Sequence, residues 1–151
     1  MSDPRDVHRP YVEALARECL TLSEDEPLTI EPNGDIPIRL GSALYRITLL
    51  EREPVLVRVW ARILQHVEKS AELLDEINDI NRSIVSARVF FAADDDDPSM
   101  GKVIAATEIP VESMDVHELA HACASIGSLT DWVDTVLMVR FGGRTAFDGD
   151  R

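Results

Sequence analysis

The segment from Lys69 to Phe91 most constrains the fold, because its apolar residues change from a helical to a strand period. Ser70 is a natural N-cap, and the helical face that follows consists of Leu73, Leu74, Ile77, Ile80 and Ile84. After Ile84 the period is two, and one side of the predicted strand consists of Val85, Ala87, Val89 and Phe91. The sequence therefore predicts an amphipathic helix that leads directly into a half-buried strand.

The rest of the chain predicts an antiparallel sheet with further helices. A first helix is expected over Arg9 to Thr21, with Pro10 in its first turn. A final helix is expected over Val116 to Phe141, ended by Gly142, with Gly127-Ser128 as a candidate break. The expected strands are a short one at Leu28 and Ile30, then Ile36–Leu40, Ala43–Leu50, Val55–Leu64 and Lys102–Ile109. Turn residues separate them at Asn33-Gly34 and at Gly41-Ser42. The expected fold class is α+β, with about five antiparallel strands and the helices packed on one face, in a single domain of residues 1–143 followed by a flexible tail at 144–151.

Charge and composition limit the classes of partner. The chain has 151 residues and a formal net charge of −13 at pH 7. This charge repels phosphate backbones and anionic lipids, so nucleic acid and membrane surfaces are not expected partners. Cys19 and Cys123 are predicted to be buried thiols in a reducing compartment, and neither a membrane-spanning run nor a signal peptide is recognised. A cytoplasmic location is expected.

Three segments carry a family resemblance. They are ELLDEINDIN with SARVFF (residues 72–81 and 86–91), IPIRLGSALYRI (Ile36–Ile47) and RFGG (Arg140–Gly143). In these segments the chain resembles the YbjN-type, type III secretion chaperone-like proteins of bacteria, including their actinobacterial members, over roughly Leu28 to Gly143. The resemblance implies a non-enzymatic chaperone-like or adaptor protein that binds a polypeptide partner. It also implies a homodimer, whereas a regulatory protein-interaction module is an alternative within the same family.

A second alternative comes from His117-Glu118-Leu119-Ala120-His121, which matches the H-E-x-x-H signature of zinc hydrolases. A catalytic zinc needs a third protein ligand, and Gly127 stands where one subclass has a histidine. Asp115 can instead cap the final helix, with Glu118 completing a capping box. No catalytic residue, metal ligand or cofactor is therefore assigned, and the purified protein is expected to lack stoichiometric zinc.

The run Asp94 to Asp97 also invites a metal assignment. Pro98 and Ser99 stand where a calcium-binding loop needs a glycine or a ligand, so a solvated loop between two strands is the favoured interpretation.

The candidate binding residues lie on the side of the sheet that faces away from the core. In the strand from Val55, the valines at 55, 57 and 59 form the core side, and Leu56, Arg58, Trp60 and Arg62 form the opposite side. Arg88 and Phe90 would extend this surface if their strand is a neighbour. Exposed aromatic rings beside arginines suit a peptide-binding surface, although a solvated sheet face or a dimer interface remains open. The pattern leaves open whether the bound segment is apolar and acidic or basic.

Overall fold

The computed structural model describes residues 3–40, 43–142 and 144–145. In this part of the chain the elements are α1 (Pro4–Cys19), β1 (Ile36–Leu40), β2 (Ala43–Leu50), β3 (Leu56–Glu68), α2 (Ala71–Ser83), β4 (Arg88–Ala93), β5 (Met100–Pro110), a short 3₁₀ turn (Val111–Ser113), α3 (Val116–Phe141) and β6 (Arg144–Thr145). The main strands form an antiparallel sheet in the order β1-β2-β3-β5-β4, and β6 pairs with β3. The predicted α+β class is confirmed.

The chain divides into two compact units, and β3 and β5 run through both. The first unit comprises Met1–Trp60 and Thr107–Ala124, and the second comprises Ala61–Ala106 and Ser125–Arg151. The single domain ending at residue 143 stays a prediction. The predicted break at residues 41–42 and the tail beyond residue 145 lie outside the described residues, whereas Arg144 and Thr145 pair with Gln65 and Leu64 of β3.

In the first unit, β1, β2 and the first half of β3 form two hairpin-like pairs. The register places Ile36 opposite Ile47 and Ile47 opposite Val59, so that their fully buried side chains share the core side of the sheet. Helix α1 contacts β1 and β2 and adds Val12, Leu15 and Ala16 to the buried residues. The alternation read from the sequence therefore places the core correctly.

Helix α1 begins five residues earlier than expected. The carboxylate of Asp3 accepts a hydrogen bond of 2.9 Å from the amide of Arg5, and Pro4 occupies the first helical position, where its missing amide costs nothing. Pro10 consequently lies inside the helix, whereas the sequence analysis places it in the first turn. The Asp-Pro pair is a helix-start signal that the hydrophobic pattern alone overlooked.

Two strand predictions are wrong in detail. Residues 28–30 form no strand, and Ile30 is 44% exposed, since apolar character without a paired neighbour does not make a strand. The strand after α2 begins at Arg88. Val85, which the period of two includes in this strand, lies before its start and has a fully exposed side chain. The tight turn at Gly34 is confirmed by its positive φ of 89° and by the 2.8 Å bond from the Glu31 amide to the Asp35 carbonyl.

In the second unit, α2 packs on β4. Ser70 caps the helix by accepting a hydrogen bond of 3.1 Å from the Leu73 amide, as predicted. Of the expected helical face, Leu73, Ile77 and Ile80 are buried, whereas Leu74 is 39% exposed. The helix therefore uses a narrower apolar stripe than the sequence suggested.

Helix α3 runs from Val116 to Phe141 without the break considered at Gly127. It ends at Gly142, whose φ of 67° and whose 3.1 Å bond to the Met138 carbonyl are those of a left-handed C-terminal cap. None of the described helices combines the length and the apolar run that a bilayer crossing requires.

Candidate binding face

The strand β3 separates core and outward side chains as its alternation predicts. Val57 and Val59 are fully buried, whereas Leu56, Arg58 and Trp60 are half-buried on the opposite side. In the neighbouring strand β2, Arg46 lies directly opposite Trp60, and Thr48 lies opposite Arg58. Directly opposed residues of an antiparallel pair share a side of the sheet. We call the surface formed by Arg46, Thr48, Leu56, Arg58 and Trp60 the outer face; all of it belongs to the first unit.

Trp60 is fixed by a chain of hydrogen bonds. Its indole Nε1 donates to Thr48 Oγ1 at 2.9 Å, and the Thr48 hydroxyl in turn donates to Asp35 Oδ1 at 2.7 Å. Asn33 Nδ2 donates to the other carboxylate oxygen of Asp35 at 3.1 Å. Asp35 is only 7% exposed, so these bonds supply the partners that a buried carboxylate requires. The Trp60 ring is therefore held in one orientation before any ligand arrives.

The two arginines of the outer face are already paired with carboxylates. Arg46 Nε lies 3.1 Å from Glu31 Oε1, and the Arg46 guanidinium carbon lies 5.6 Å from the centre of the Trp60 ring. Arg58 Nε lies 2.9 Å from Glu108 Oε1. In both ion pairs the side chains are less than a third exposed, at 15% and 29% for the first and 25% and 21% for the second. The outer face thus carries balanced charge and not the local positive excess expected from its arginines.

The remaining candidate residues lie in the second unit. Strand β5 separates β3 from β4, so the strands that carry Trp60 and Phe90 are not neighbours, and the condition set for extending the surface is not met. Within the second unit, Arg88 lies over the Phe90 ring at 4.8 Å, and Phe90 is directly opposite Ile104. Arg62 is half-buried on β3. As candidate binding residues, Arg62, Arg88 and Phe90 therefore stay a prediction separate from the outer face.

Sequence reasoning missed Arg46, Thr48, Glu31 and Glu108 as parts of this surface. The alternation of β2 carried a signal for the first two, because Tyr45 and Ile47 face the core and leave Arg46 and Thr48 on the other side. The two glutamates could not be found in this way. Their partners depend on strand register and strand order, which one sequence does not specify.

The histidines of the H-E-x-x-H segment lie on an exposed side of α3. His117, Glu118 and His121 are all exposed, and the buried residues of this turn are Leu119, Ala122 and Cys123. Within the described residues, no three His, Cys, Asp or Glu side chains are grouped so that they could hold a metal ion. The absence of zinc from the purified protein stays a prediction.

Only one half of the predicted capping box is present. Asp115 Oδ1 accepts a hydrogen bond of 2.8 Å from the Glu118 amide, so the helix is capped as expected. Among the described residues, the Asp115 amide donates no hydrogen bond to the Glu118 carboxylate in return.

The four aspartates occupy the loop between β4 and β5, as predicted. Asp97 accepts hydrogen bonds from the Ser99 hydroxyl and amide at 2.6 and 3.1 Å, and these bonds lower the pKa of its carboxyl. The loop thus organises one of its own carboxylates through local bonds.

Both thiols are free and have raised pKa values. Burial raises the pKa of Cys123 to about 12, and the nearby Cys19 thiol adds to the shift. Burial also raises the pKa of Cys19, which is only half-buried. Neither thiol is activated as a nucleophile, because only the thiolate form is reactive.

A cleft of about 400 Å³ in the first unit was not foreseen from the sequence. It lies between the start of α1 and the β2–β3 connection, and its lining consists of Pro4, His8, Glu51, Arg52, Glu53, Pro54, Val55 and Glu112.

Comparison with known proteins gives a family and a fold. Residues 9–149 match the family model described as T3SS (YopN, CesT) and YbjN peptide-binding chaperone 1, TY-Chap1. The crystal structure of YbjN from E. coli superimposes with a TM-score of 0.58 at 16% identity, over 87% of this chain and 93% of that chain. At this identity the likeness concerns the fold. No curated protein matches the chain at a significant level.

Proposed function

The chain belongs to the TY-Chap1 family of peptide-binding chaperones, and we propose that it is a non-enzymatic chaperone-like or adaptor protein of the cytoplasm that binds a polypeptide through the outer face. The observation that carries the proposal is Trp60, a large aromatic side chain held in place on the side of β3 that faces away from the core. A pre-ordered aromatic residue loses little side-chain entropy on binding, which suits it to be a hot spot. A reducing cytoplasm is consistent with two free thiols.

The charges of the outer face favour one of the two partner chemistries left open by the sequence. Arg46 and Arg58 are engaged by Glu31 and Glu108, so they do not attract an acidic segment strongly. The chain as a whole carries a net charge of −13, and its field attracts cations. The proposed ligand is therefore a polypeptide segment with an apolar side chain for Trp60 and basic residues on either side.

The test follows the fluorescence of Trp60 alone. In a Trp132→Phe background, Trp60 is the sole tryptophan, and its emission is followed while synthetic 12-residue peptides are added. One peptide set has an apolar centre with lysine flanks, and the other has the same centre with glutamate flanks. We expect saturable shifts with the lysine set, weakened by salt because opposite charges are screened.

Two variants locate the binding surface. Trp60→Ala should lower peptide affinity by about 2 kcal/mol, the threshold usual for a hot spot. Arg58→Gln should instead strengthen binding of the lysine peptides, since it removes a positive charge beside Trp60 and leaves the Glu108 carboxylate in place; Arg58→Glu is less suitable, because it places a second carboxylate at that glutamate. Peptide binding by these two variants is read by isothermal titration, and circular dichroism verifies their fold. Unchanged affinity in a folded Trp60→Ala protein would place the ligand elsewhere, and unfolding of that variant would assign Trp60 to the core.

We also propose that the protein is a homodimer. Arg62, Arg88 and Phe90 form a second proposed contact surface in the second unit, where the Arg88 guanidinium lies 4.8 Å from the centre of the Phe90 ring. Variants of these residues are tested with the same peptides, independently of Trp60.

A further inference from the structure

One strip along the outward side of the second half of α3 carries no charge, with the exposed Asp131 and Arg140 beside it. Trp132 is 48% exposed and Val139 is 85% exposed, two helical turns apart. Thr135 is exposed between them, and the neighbouring Val136 is half-buried. We call these four residues the α3 stripe; all of them lie in the second unit, and none carries a charge. A helix face of this kind normally lies against another surface.

We infer that the α3 stripe is the contact between two copies of this chain, arranged as an antiparallel helix pair about a two-fold axis near Thr135 and Val136. This inference builds on the proposed homodimer and is independent of the proposed peptide-binding face. It assigns the dimer contact to α3 and leaves the outer face around Trp60 available to a partner.

The charge of the chain supports a second copy as the occupant. Two copies that each carry a net charge of −13 repel one another over most of their surfaces. An isologous contact brings identical patches together, so any charge in the patch would face its own copy. The uncharged α3 stripe avoids this cost. A basic partner, in contrast, would find no carboxylate within the α3 stripe itself.

The sizes of the side chains indicate the register. In an antiparallel pair, residues lie at the same height when their numbers add to a constant, and a centre between Thr135 and Val136 places Trp132 beside Val139 of the other copy. Each contact then sets a large ring against a smaller side chain, and both exposed residues of both copies are covered. Placing the two Trp132 rings opposite each other would leave Val139 exposed on each copy.

The charged residue beside Val139 is engaged within its own chain. Arg140 is turned toward α2, where its Nη1 lies 2.5 Å from Glu76 Oε2, and its guanidinium lies 5.2 Å from the centre of the Phe141 ring. The last charged residue of α3 is therefore engaged within its own chain and does not obstruct the α3 stripe.

Engineered cysteines test the contact and its direction. In the proposed pair, the two copies of residue 135 differ in height by about 1.5 Å, whereas the two copies of residue 128 differ by about 22 Å. Thr135→Cys should therefore form a disulfide-linked dimer under mild oxidation, and Ser128→Cys, which is also exposed on α3, should not. The wild-type chain, with its own Cys19 and Cys123, is oxidised in parallel as the control for background.

A charge substitution tests the same contact in solution. Val139→Glu should raise the dimer dissociation constant by about 100-fold or more, because a carboxylate would be buried against the partner's Trp132 without a counter-charge. The matched control is Val85→Glu, which makes the same change at a fully exposed valine of the second unit and should leave the dimer intact. Masses are measured by light scattering over a concentration series.

The outcomes separate this inference from the proposed function. A monomeric wild-type protein would remove both the dimer and the α3 contact. A wild-type dimer that persists in Val139→Glu, or in which Thr135→Cys fails to cross-link or Ser128→Cys cross-links equally, would overturn the α3 contact alone. Peptide binding at Trp60 is measured separately, and Trp60→Phe should remain dimeric.

Discussion

At Thr48 a single hydroxyl connects the outer face to the buried carboxylate beneath it. It accepts the Trp60 indole N–H and donates to Asp35, which is 7% exposed. Removing this hydroxyl leaves polar groups without their partners, and such groups cost more than the bonds themselves contribute.

We expect Thr48→Val, which keeps the shape of the side chain, to lower the free energy of unfolding by about 1–3 kcal/mol. Urea titration measures the effect, and Thr29→Val at an exposed loop position is the control. The variant should also weaken peptide binding, because the Trp60 ring is released. Wild-type stability in Thr48→Val would mean that the hydroxyl does not connect the two groups.

A second residue-scale prediction concerns Asn81. Its carboxamide both donates to the Val89 carbonyl and accepts from the Val89 amide, each at 2.8 Å, and Val89 is 1% exposed. Asn81→Ala should cost about 1–3 kcal/mol, since two buried backbone groups lose their partner. Asn78→Ala, one turn earlier on an exposed side of α2, should be close to neutral. Equal unfolding midpoints for the two variants would contradict this role for Asn81.

Among the elements, α3 gives a prediction about its first turn. Asp115 caps the helix through the Glu118 amide, and the carboxylate of Glu118 is exposed. Asp115→Ala should therefore cost about 0.5–2 kcal/mol, the range for lost N-caps. Glu118→Ala should cost less, because it removes only the favourable interaction of this carboxylate with the helix dipole. A larger loss for Glu118→Ala in thermal unfolding would show that the reciprocal bond exists after all.

The elements also show which features of the fold can be derived from sequence. The period change after Ile84, the Ser70 cap and the Gly142 end are local signals, and each was found. Whether a short apolar run forms a strand depends on partners elsewhere in the chain, so the strand predicted at Leu28 and Ile30 is wrong.

The candidate site shows the same limit. Alternation along β3 identified the side on which Arg58 and Trp60 lie, because that pattern is contained in a few consecutive residues. It could not identify Glu108, fifty positions further on, as the partner of Arg58. The balance of charge on the outer face is therefore visible only in the structure.

For the molecule as a whole, the buried thiol of Cys123 links stability to pH. Its pKa rises from an ordinary value of 9.0 to about 12 in the folded chain, so the unfolded chain releases this proton first. The stability gained by burying the neutral thiol is fully present below pH 9 and is lost as the pH rises toward 12.

The difference in unfolding free energy between the wild-type chain and Cys123→Ala should therefore shrink between pH 7 and pH 10.5. Urea titrations at the two pH values measure it, with Cys19→Ala at the half-buried thiol as the comparison. Cys123 should also resist a thiol reagent at pH 8 until urea is added. Rapid modification of the folded chain at both thiols would contradict the burial of Cys123.

The position of Asn81 has a consequence for the edge of the sheet at β4. Strand β4 ends the sheet, and the outward amide and carbonyl of Val89 are the groups that an incoming extended chain would need. A side chain of α2 already occupies them, so a foreign strand cannot join at this point without first displacing it. A chaperone-like protein of the proposed kind would meet many such strands, and at Val89 the Asn81 side chain protects this edge of the sheet from them.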